Sequence, residues 1–508
     1  MAVISTYTDG LEPNLTSILA TVLLFSILHR AWRIVYRLFF HPLRKYPGPR
    51  LYAASSLPHL YKVSTGNIHR MQQRLHHLYG PVVRIGPEQL SYIEAKAWKD
   101  IQGHRVGGHG SFQKDPALLG KQEHPDIIHA DDATHSRQRR IFSHAFSDRA
   151  LKEQEPMIGG YVDLLIEKLK EHSGLDDTNS EGPPKPVDMV RMYNFTTFDV
   201  MADLTFGEPL GMLQGGEYVP WVSNIFGSVK FMVMGSFLRV YPMIGRIAAA
   251  FLPKSLAEKK KKHAEFAIER VDRRLQYDKD RGDIWSLVQR GADLNNISRG
   301  EMYSNAQIFM IAGTETTATL LSGLTYLLCK NPDKMGKLVD EIKALGGMDQ
   351  LNVTNLQGLP YLNACLEDAL RLYPPAPMVA PRITPQGGAT VCGQYVPEGT
   401  TLGIAQYAAY RSPHNFADPL DFVPERWLSS PPERYASDKK DVLQPFSFGP
   451  RNCLGKNLAY HEMRLIISRI LWTFEIELME KDFDWLNQHT YGIWEKHPLT
   501  VKLRLRDQ

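Results

Sequence analysis

The sequence predicts a mainly α protein: a helix-rich domain with a small β-rich part, preceded by an N-terminal membrane-anchor helix. Three observations carry this. From about residue 68 onward apolar residues recur at helical spacing. After Pro374 the pattern turns to short strands and turns, among them Ala389 to Val391 and Thr401 to Ile404. Near the start, Leu15 to Leu28 is fourteen residues without a charge. The chain has 508 residues, 43% hydrophobic and 22% charged, which is enough to bury a large core.

Taken in order, residues 1–14 are expected as a short lumenal N-terminus, 15–36 as the anchor, 37–50 as a basic proline-rich linker and 51–508 as one folded domain. The apolar run is shorter than the roughly twenty residues a span needs. Extending it through Tyr36, with Arg30 and Arg33 snorkelling, gives an anchor of sufficient length. Met1 to Asn14 holds Asp9 and Glu12 but no Lys or Arg, which argues against a cleaved signal peptide. The basic residues follow the apolar run, so the body is expected in the cytosol. The sequon Asn14-Leu-Thr16 then faces the lumen, close to the bilayer. Pro42, Pro47 and Pro49 stiffen the linker. Val82 to Ile85 and Leu90 to Ile93 read as a hairpin. Ser173 to Pro186 reads as an exposed loop, and Lys259 to Lys262 as a solvated helix face. No stretch within 50–508 reads as a linker between independent domains.

The four cysteines, Cys329, Cys365, Cys392 and Cys453, are sparse and lack C-x-x-C spacing. That excludes a disulfide scaffold or zinc site and suits a reducing compartment. A net charge of +4 gives no pull toward nucleic acid, and no nucleic-acid partner is expected.

The most informative stretch is Phe446-Ser-Phe-Gly449-Pro-Arg451-Asn-Cys453-Leu-Gly455, which fits F-x-x-G-x-R-x-C-x-G. A helical pattern starts at Lys456, so Cys453 lies just ahead of a helix N-terminus. Unpaired N–H groups and the dipole there favour a thiolate. Gly449 and Gly455 allow a tight turn and close approach. A structural cysteine on a Gly-rich loop is the plain alternative, and the five-position spacing argues against it.

A second constellation lies inside the long apolar run from Ala306 to Leu328. Gly313, Glu315, Thr316 and Thr317 are locally unfavourable there, and such violations mark function. A Thr316 or Thr317 hydroxyl can bond an upstream carbonyl and distort the helix. A third is Glu367-Asp368-Ala-Leu-Arg371, where both acids can reach the arginine on one helix face. Arg426 follows in Pro424-Glu425-Arg426-Trp427. Read alone, His135, Arg139 and Arg382 are surface or core-edge side chains.

Together and in this order, the motifs resemble those of the cytochromes P450. The resemblance covers nearly everything after residue 41. It implies a cytochrome P450 fold holding haem b between the Ala306–Leu328 helix and the Cys453 loop, with Cys453 as axial iron ligand. Phe446 would shield the sulfur, with Gly449 and Gly455 shaping the loop. Arg451, Arg139, His135 (where Trp is common) and Arg382 would hold the propionates. Glu315 and Thr316 resemble the acid–alcohol pair that relays protons. Asp368, Glu367, Arg371 and Arg426 would form the buried proximal network, Asp368 standing where the family has Glu. Phe112, Phe309, Ala312, Gly313, Val379 and Ile493 would line an apolar substrate pocket, drawn from segments 107–112, 232–237, 309–313, 378–380 and 491–493.

The function so implied is a haem-thiolate monooxygenase in the endoplasmic reticulum membrane, single-pass with its catalytic domain in the cytosol. It would insert one oxygen atom from O2, by hydroxylation or epoxidation. Electrons would come from NADPH through NADPH–cytochrome P450 reductase. The segments Arg37 to Leu43, Ser143 to Ser147 and Tyr491 to Lys496 are similar to fungal secondary-metabolism members of the isotrichodermin 15-hydroxylase-like group. A small lipophilic terpenoid or polyketide intermediate is the expected substrate. Two alternatives stay open: a haem-thiolate isomerase or dehydratase that does not use O2, and a non-catalytic membrane haem-binding protein.

Overall fold

The computed structural model describes residues 15–104, 111–115, 122–175, 184–223, 254–277, 279–290, 296–378 and 380–507, with Val233, Tyr241, Met243 and Ile247 between. Leu15–Val35 is one continuous helix that runs into a wider turn, Tyr36–Phe40. The stretch Thr16–Phe39 is 24 residues long, apolar enough to cross a membrane, and none of it is buried. The linker departs from a free tether. Leu43 is fully buried, and the Tyr46 hydroxyl and Lys45 ammonium both donate to the Tyr395 carbonyl. Arg84 donates to the Arg37 carbonyl at 3.0 Å. Apolar Leu43 and Tyr46 join the core of the β-rich part rather than solvent.

The centre is the helix Arg299–Lys330, called the distal helix below. It opens on a capping box, Ser298 with Glu301. Its C-terminal half, from Thr317 to Leu328, is buried on every side. Met189–Phe206, buried almost throughout, packs along it. Asp148–Ser173 covers that helix and also touches Lys456–Thr473, the helix that follows Cys453.

The expected hairpin forms, with Val82 opposite Tyr92 and Arg84 opposite Leu90. It edges a five-stranded sheet in the order Val82–Gly86, Gln89–Tyr92, Thr401–Ile404, Arg382–Ile383, Gln113–Lys114. Gln89–Tyr92 runs parallel to Thr401–Ile404, and the outer pairs are antiparallel. The last pairing sets Lys114 directly opposite Arg382. Cross-strand partners point to the same face, so two cations are placed side by side by register alone. A three-stranded sheet of Val187–Asp188, Thr500–Leu505 and Phe474–Leu478 closes the C-terminal end.

Candidate active site

A cavity of about 380 Å³ lies between the distal helix and the Cys453 loop. Its walls are mostly apolar: Ile127, Ile128, Met201, Ile308, Phe309, Leu370 and Met378 among them. Phe309 is fixed by edge contacts with Phe142 and Phe146 at 5.0 and 5.6 Å between ring centroids. Gly313 lies close to Met201: a Cβ there would meet the methionine sulfur at 2.7 Å, and that side chain would have to shift.

Cys453 is exposed, but it opens onto this cavity rather than the outer surface. Its N–H donates to the Phe446 carbonyl at 2.8 Å, closing the loop. Burial pushes the thiol up, opposed by the Gly455 amide, Arg139 and Lys456. Those three are the groups on hand to hold a thiolate once a cation faces it. The Phe446 ring lies on the cavity, against Tyr460 at 5.1 Å. Ser447 has φ of +62°, a left-handed strain that holds the turn between two phenylalanines.

The two glycines divide: Gly449 makes the tight turn and close approach expected of both, and Gly455 does not. Gly449 does not touch the cavity. It has φ of +74°, and a Cβ there would stand 2.0 Å from the Gln102 carbonyl oxygen. It therefore fits the loop against the helix Ala95–Gln102. Gly455 lines the cavity, yet it has ordinary φ of −87° and room for a Cβ. Its contribution is the amide turned toward the Cys453 sulfur.

One side of the cavity gathers positive charge. His135, Arg139, Arg382 and Arg451 all line it, as the motif order suggested, and Lys114 joins them. Lys114 is missed by sequence reading, because only the strand register brings it beside Arg382. Burial and the Arg382 and Arg451 charges pull Lys114 down to about 7. Burial and Arg451 pull Arg382 to about 10, and burial with Arg451, Arg139 and Lys114 holds His135 near 4. The compensating carboxylate is Asp132, bonded to Arg451 at 2.7 Å. Arg139 holds the Asn452 carbonyl at 2.6 Å, and Arg382 holds Gln102 at 3.0 Å.

The acid–alcohol pair divides. Thr316 lies on the cavity, its hydroxyl donating to the Ala312 carbonyl at 2.7 Å. Glu315 is not among the cavity-lining residues. It is 4% exposed and ion-paired with equally buried Lys496 at 2.5 Å, with Thr319 completing the cluster. Its Oε2 has no partner among the described residues.

Two pocket expectations need correction. Phe112 packs in the β-side core with Tyr92 and Trp98, because its strand neighbour Gln113 pairs with Ile383 and turns the ring inward. Ile493 serves the turn at 490–494 through its carbonyl, which accepts from Tyr491 and Thr490, and it is absent from the cavity wall. Ala312, Gly313 and Phe309 line the cavity as expected. Val379 and residues 107–110, 232 and 234–237 lie outside the described residues.

The proximal network forms around Asp368, fully buried. Arg371 donates to both its oxygens at 2.7 and 3.2 Å, and Trp427 and the Val423 amide add bonds at 2.9 and 2.6 Å. Arg426 lies 3.3 Å away and is bonded to Asp438, a member the motif does not reveal. Glu367 is the correction here: it faces the other way and accepts from the Tyr460 hydroxyl at 2.5 Å. Helix spacing allows both acids to reach the guanidinium; it is packing against Tyr460 that takes Glu367 away.

A family model described as Cytochrome P450 matches residues 46–503, nearly the whole folded part. The chain belongs to the cytochrome P450 family. It is 46% identical to the cytochrome P450 monooxygenase efuB of Hormonema carpetanum, over 98% of this chain and 97% of that one. It is 46% identical to the monooxygenase FUM2 of Gibberella moniliformis, over 92% and 99%. It is 43% identical to the monooxygenase astJ of Aspergillus oryzae, over 94% and 95%. This P450 is accordingly an oxidoreductase of the monooxygenase class. The family's cofactor is haem with a cysteine thiolate ligand, and the residues of this P450 fit one. A cysteine opens into an apolar slot, and a cluster of crowded cations stands at one side with too few carboxylates. Burial first and then repulsion from neighbouring arginines lower the pKa of Lys114 and Arg382, and an anionic group would offset both.

Proposed function

We propose that this P450 is a membrane-anchored haem-thiolate monooxygenase acting on a small lipophilic secondary-metabolite intermediate, a terpenoid or polyketide. The observation that carries the reading is Cys453 opening into the same apolar cavity that Thr316 faces. Bound haem would supply the redox chemistry that activates O2, with electrons passed from NADPH by a separate reductase.

The chain's own residues do the rest. Cys453 binds, and the Gly455 amide, Arg139 and Lys456 steady its charge. Lys114, Arg139, Arg382, Arg451 and neutral His135, which line one side of the cavity, would hold the two propionates by charge and hydrogen bonding. Ile308, Phe309, Ala312, Met201 and Met378 orient an apolar substrate and exclude water. Thr316 holds a proton at its hydroxyl, on the cavity side of the distal helix. Glu315, next to it in the chain, stands behind it and is ion-paired with Lys496. Asp368, Arg371 and Arg426 keep the proximal side in register. The helix Leu15–Val35 anchors the protein, with the body in the cytosol at the endoplasmic reticulum.

The test is the carbon monoxide difference spectrum of the reduced protein, wild type against Cys453→Ala. A strongly red-shifted Soret band in wild type, lost in C453A, is expected. Bound haem with no such band in wild type overturns thiolate ligation. The band without NADPH-coupled oxygen consumption on any lipophilic substrate would turn the reading toward an isomerase or dehydratase.

A further inference from the structure

A second cavity, of about 440 Å³, shares no lining residue with the one that Cys453 opens into. It lies against the helix Ile68–Tyr79. Arg70, Gln73, Arg74 and His77 fall three and four residues apart on that helix, and all four line the cavity. Arg411 and His414 line it from the segment after the helix Gln406–Tyr410. No Asp or Glu lines it among the described residues.

The buried arginines Arg274 and Arg371 are each balanced by an aspartate. Arg70, Arg74 and Arg411 have no ion pair among the described residues; neutral groups place two of them instead. Arg70 donates to the Asn67 side-chain oxygen at 3.1 Å, to the Gln488 carbonyl at 2.9 Å and to Asn487. Arg411 donates to the Leu372 carbonyl and lies over the Tyr407 ring, 4.4 Å from its centroid. Its Nε is shut off from solvent and has no partner among the described residues. Neutral acceptors fix the direction of a guanidinium and leave its charge in place. His414 accepts from the Lys439 ammonium at 3.0 Å, which sets a fourth cation beside the cavity. Arg70 and Arg74 stand at i,i+4, a spacing at which like charges destabilise a helix. A helix that gathers cations on one face without local compensation breaks the usual rule, and such breaks mark function.

We infer that this cavity is a binding site for a phosphate ester, held by Arg70, Arg74 and Arg411. Guanidiniums match phosphate oxygens two at a time, and three cations at one space exceed what a single carboxylate calls for. The volume is that of a small-molecule site, and Ile93, Ala408 and Pro413 supply apolar wall for the organic part of the ester. Two sources present this chemistry: a free phosphorylated small molecule and the headgroup of an anionic lipid. The inference does not depend on what the other cavity holds.

The experiment uses the haem-loaded full-length protein in phosphatidylcholine vesicles. Pyrophosphate is titrated in, or phosphatidic acid is mixed into the vesicles, and amide hydrogen exchange is followed over 68–79 and 408–414. In wild type, pyrophosphate should slow exchange in both segments and saturate as a one-to-one complex. Arg74 is exposed, so Arg74→Glu should fold normally and weaken binding about tenfold or more. Arg70→Gln should also weaken it. Arg149→Glu, the same charge change at another exposed arginine, should leave binding unchanged. Protection by pyrophosphate alone assigns the site to a free phosphate ester. Protection by phosphatidic acid without pyrophosphate, lost in R74E, assigns it to a lipid headgroup. No protection in either arm, or equal weakening in R74E and R149E, overturns the site.

Discussion

At the residue scale, Lys496 decides what Glu315 can be. The pair is 4% exposed on each side and sits behind the threonine that faces the cavity. Removing one partner of a buried pair strands the other charge, a cost of about 3–5 kcal/mol. Lys496→Met should therefore lower the thermal midpoint by several degrees, and adding Glu315→Gln should recover most of it. An unchanged midpoint in K496M would show that water already reaches the carboxylate. The same logic explains the crowded cations. Lys114 and Arg382 are neighbours by register; burial, then the Arg382 and Arg451 charges, weakens the charged form of Lys114, and burial with Arg451 weakens that of Arg382.

At the element scale, the short 3-10 turn Pro424–Trp427 is held to the helix Pro360–Leu372 mainly through one carboxylate. Asp368 takes bonds from Arg371, Val423 and Trp427 and lies 3.3 Å from the Arg426 guanidinium. The shorter acid works because Arg371 is three residues on and folds back over the same turn. Asp368→Ala would leave the buried Arg371 guanidinium without its counter-charge, while Arg426 keeps Asp438. The expected loss is about 3–5 kcal/mol, read as a lower urea midpoint and a smaller fraction of protein giving the carbon monoxide band. Asp368→Asn, which keeps the shape but not the charge, should fall between. The Cys453 loop relies on backbone as much as side chains: Gly449 lets it press on Gln102, and Ser447 carries a positive φ.

At the scale of the whole molecule, the segment between anchor and body belongs to the body. Leu43 and Tyr46 are buried with Leu90, Tyr92 and Trp98, while Leu15–Val35 touches little else. Burying one such side chain is worth about 1.5–3 kcal/mol. A chain starting at residue 37 should therefore unfold at nearly the full-length midpoint and lose membrane pelleting. A chain starting at residue 51 should be destabilised by roughly 3–5 kcal/mol. Equal midpoints for the two truncations would show that the linker packing contributes nothing.

Much of this was legible in residue order alone. The Cys453 loop, the distal-helix insertion at 313–317 and the Asp368–Arg371 helix are local patterns, each written within about ten residues. The chemistry of one turn or one loop is dictated by near neighbours, so spacing reveals it. The apolar run at the N-terminus is equally local, since length and composition alone make it able to span. What spacing could not decide is direction and company. Only tertiary packing turned Glu315 to Lys496, 181 positions away. It sent Glu367 to Tyr460 rather than Arg371, and Phe112 into a core. Strand register put Lys114 beside Arg382. A side chain's partner depends on which distant element fills the space before it, and that is settled by the packing of the whole chain.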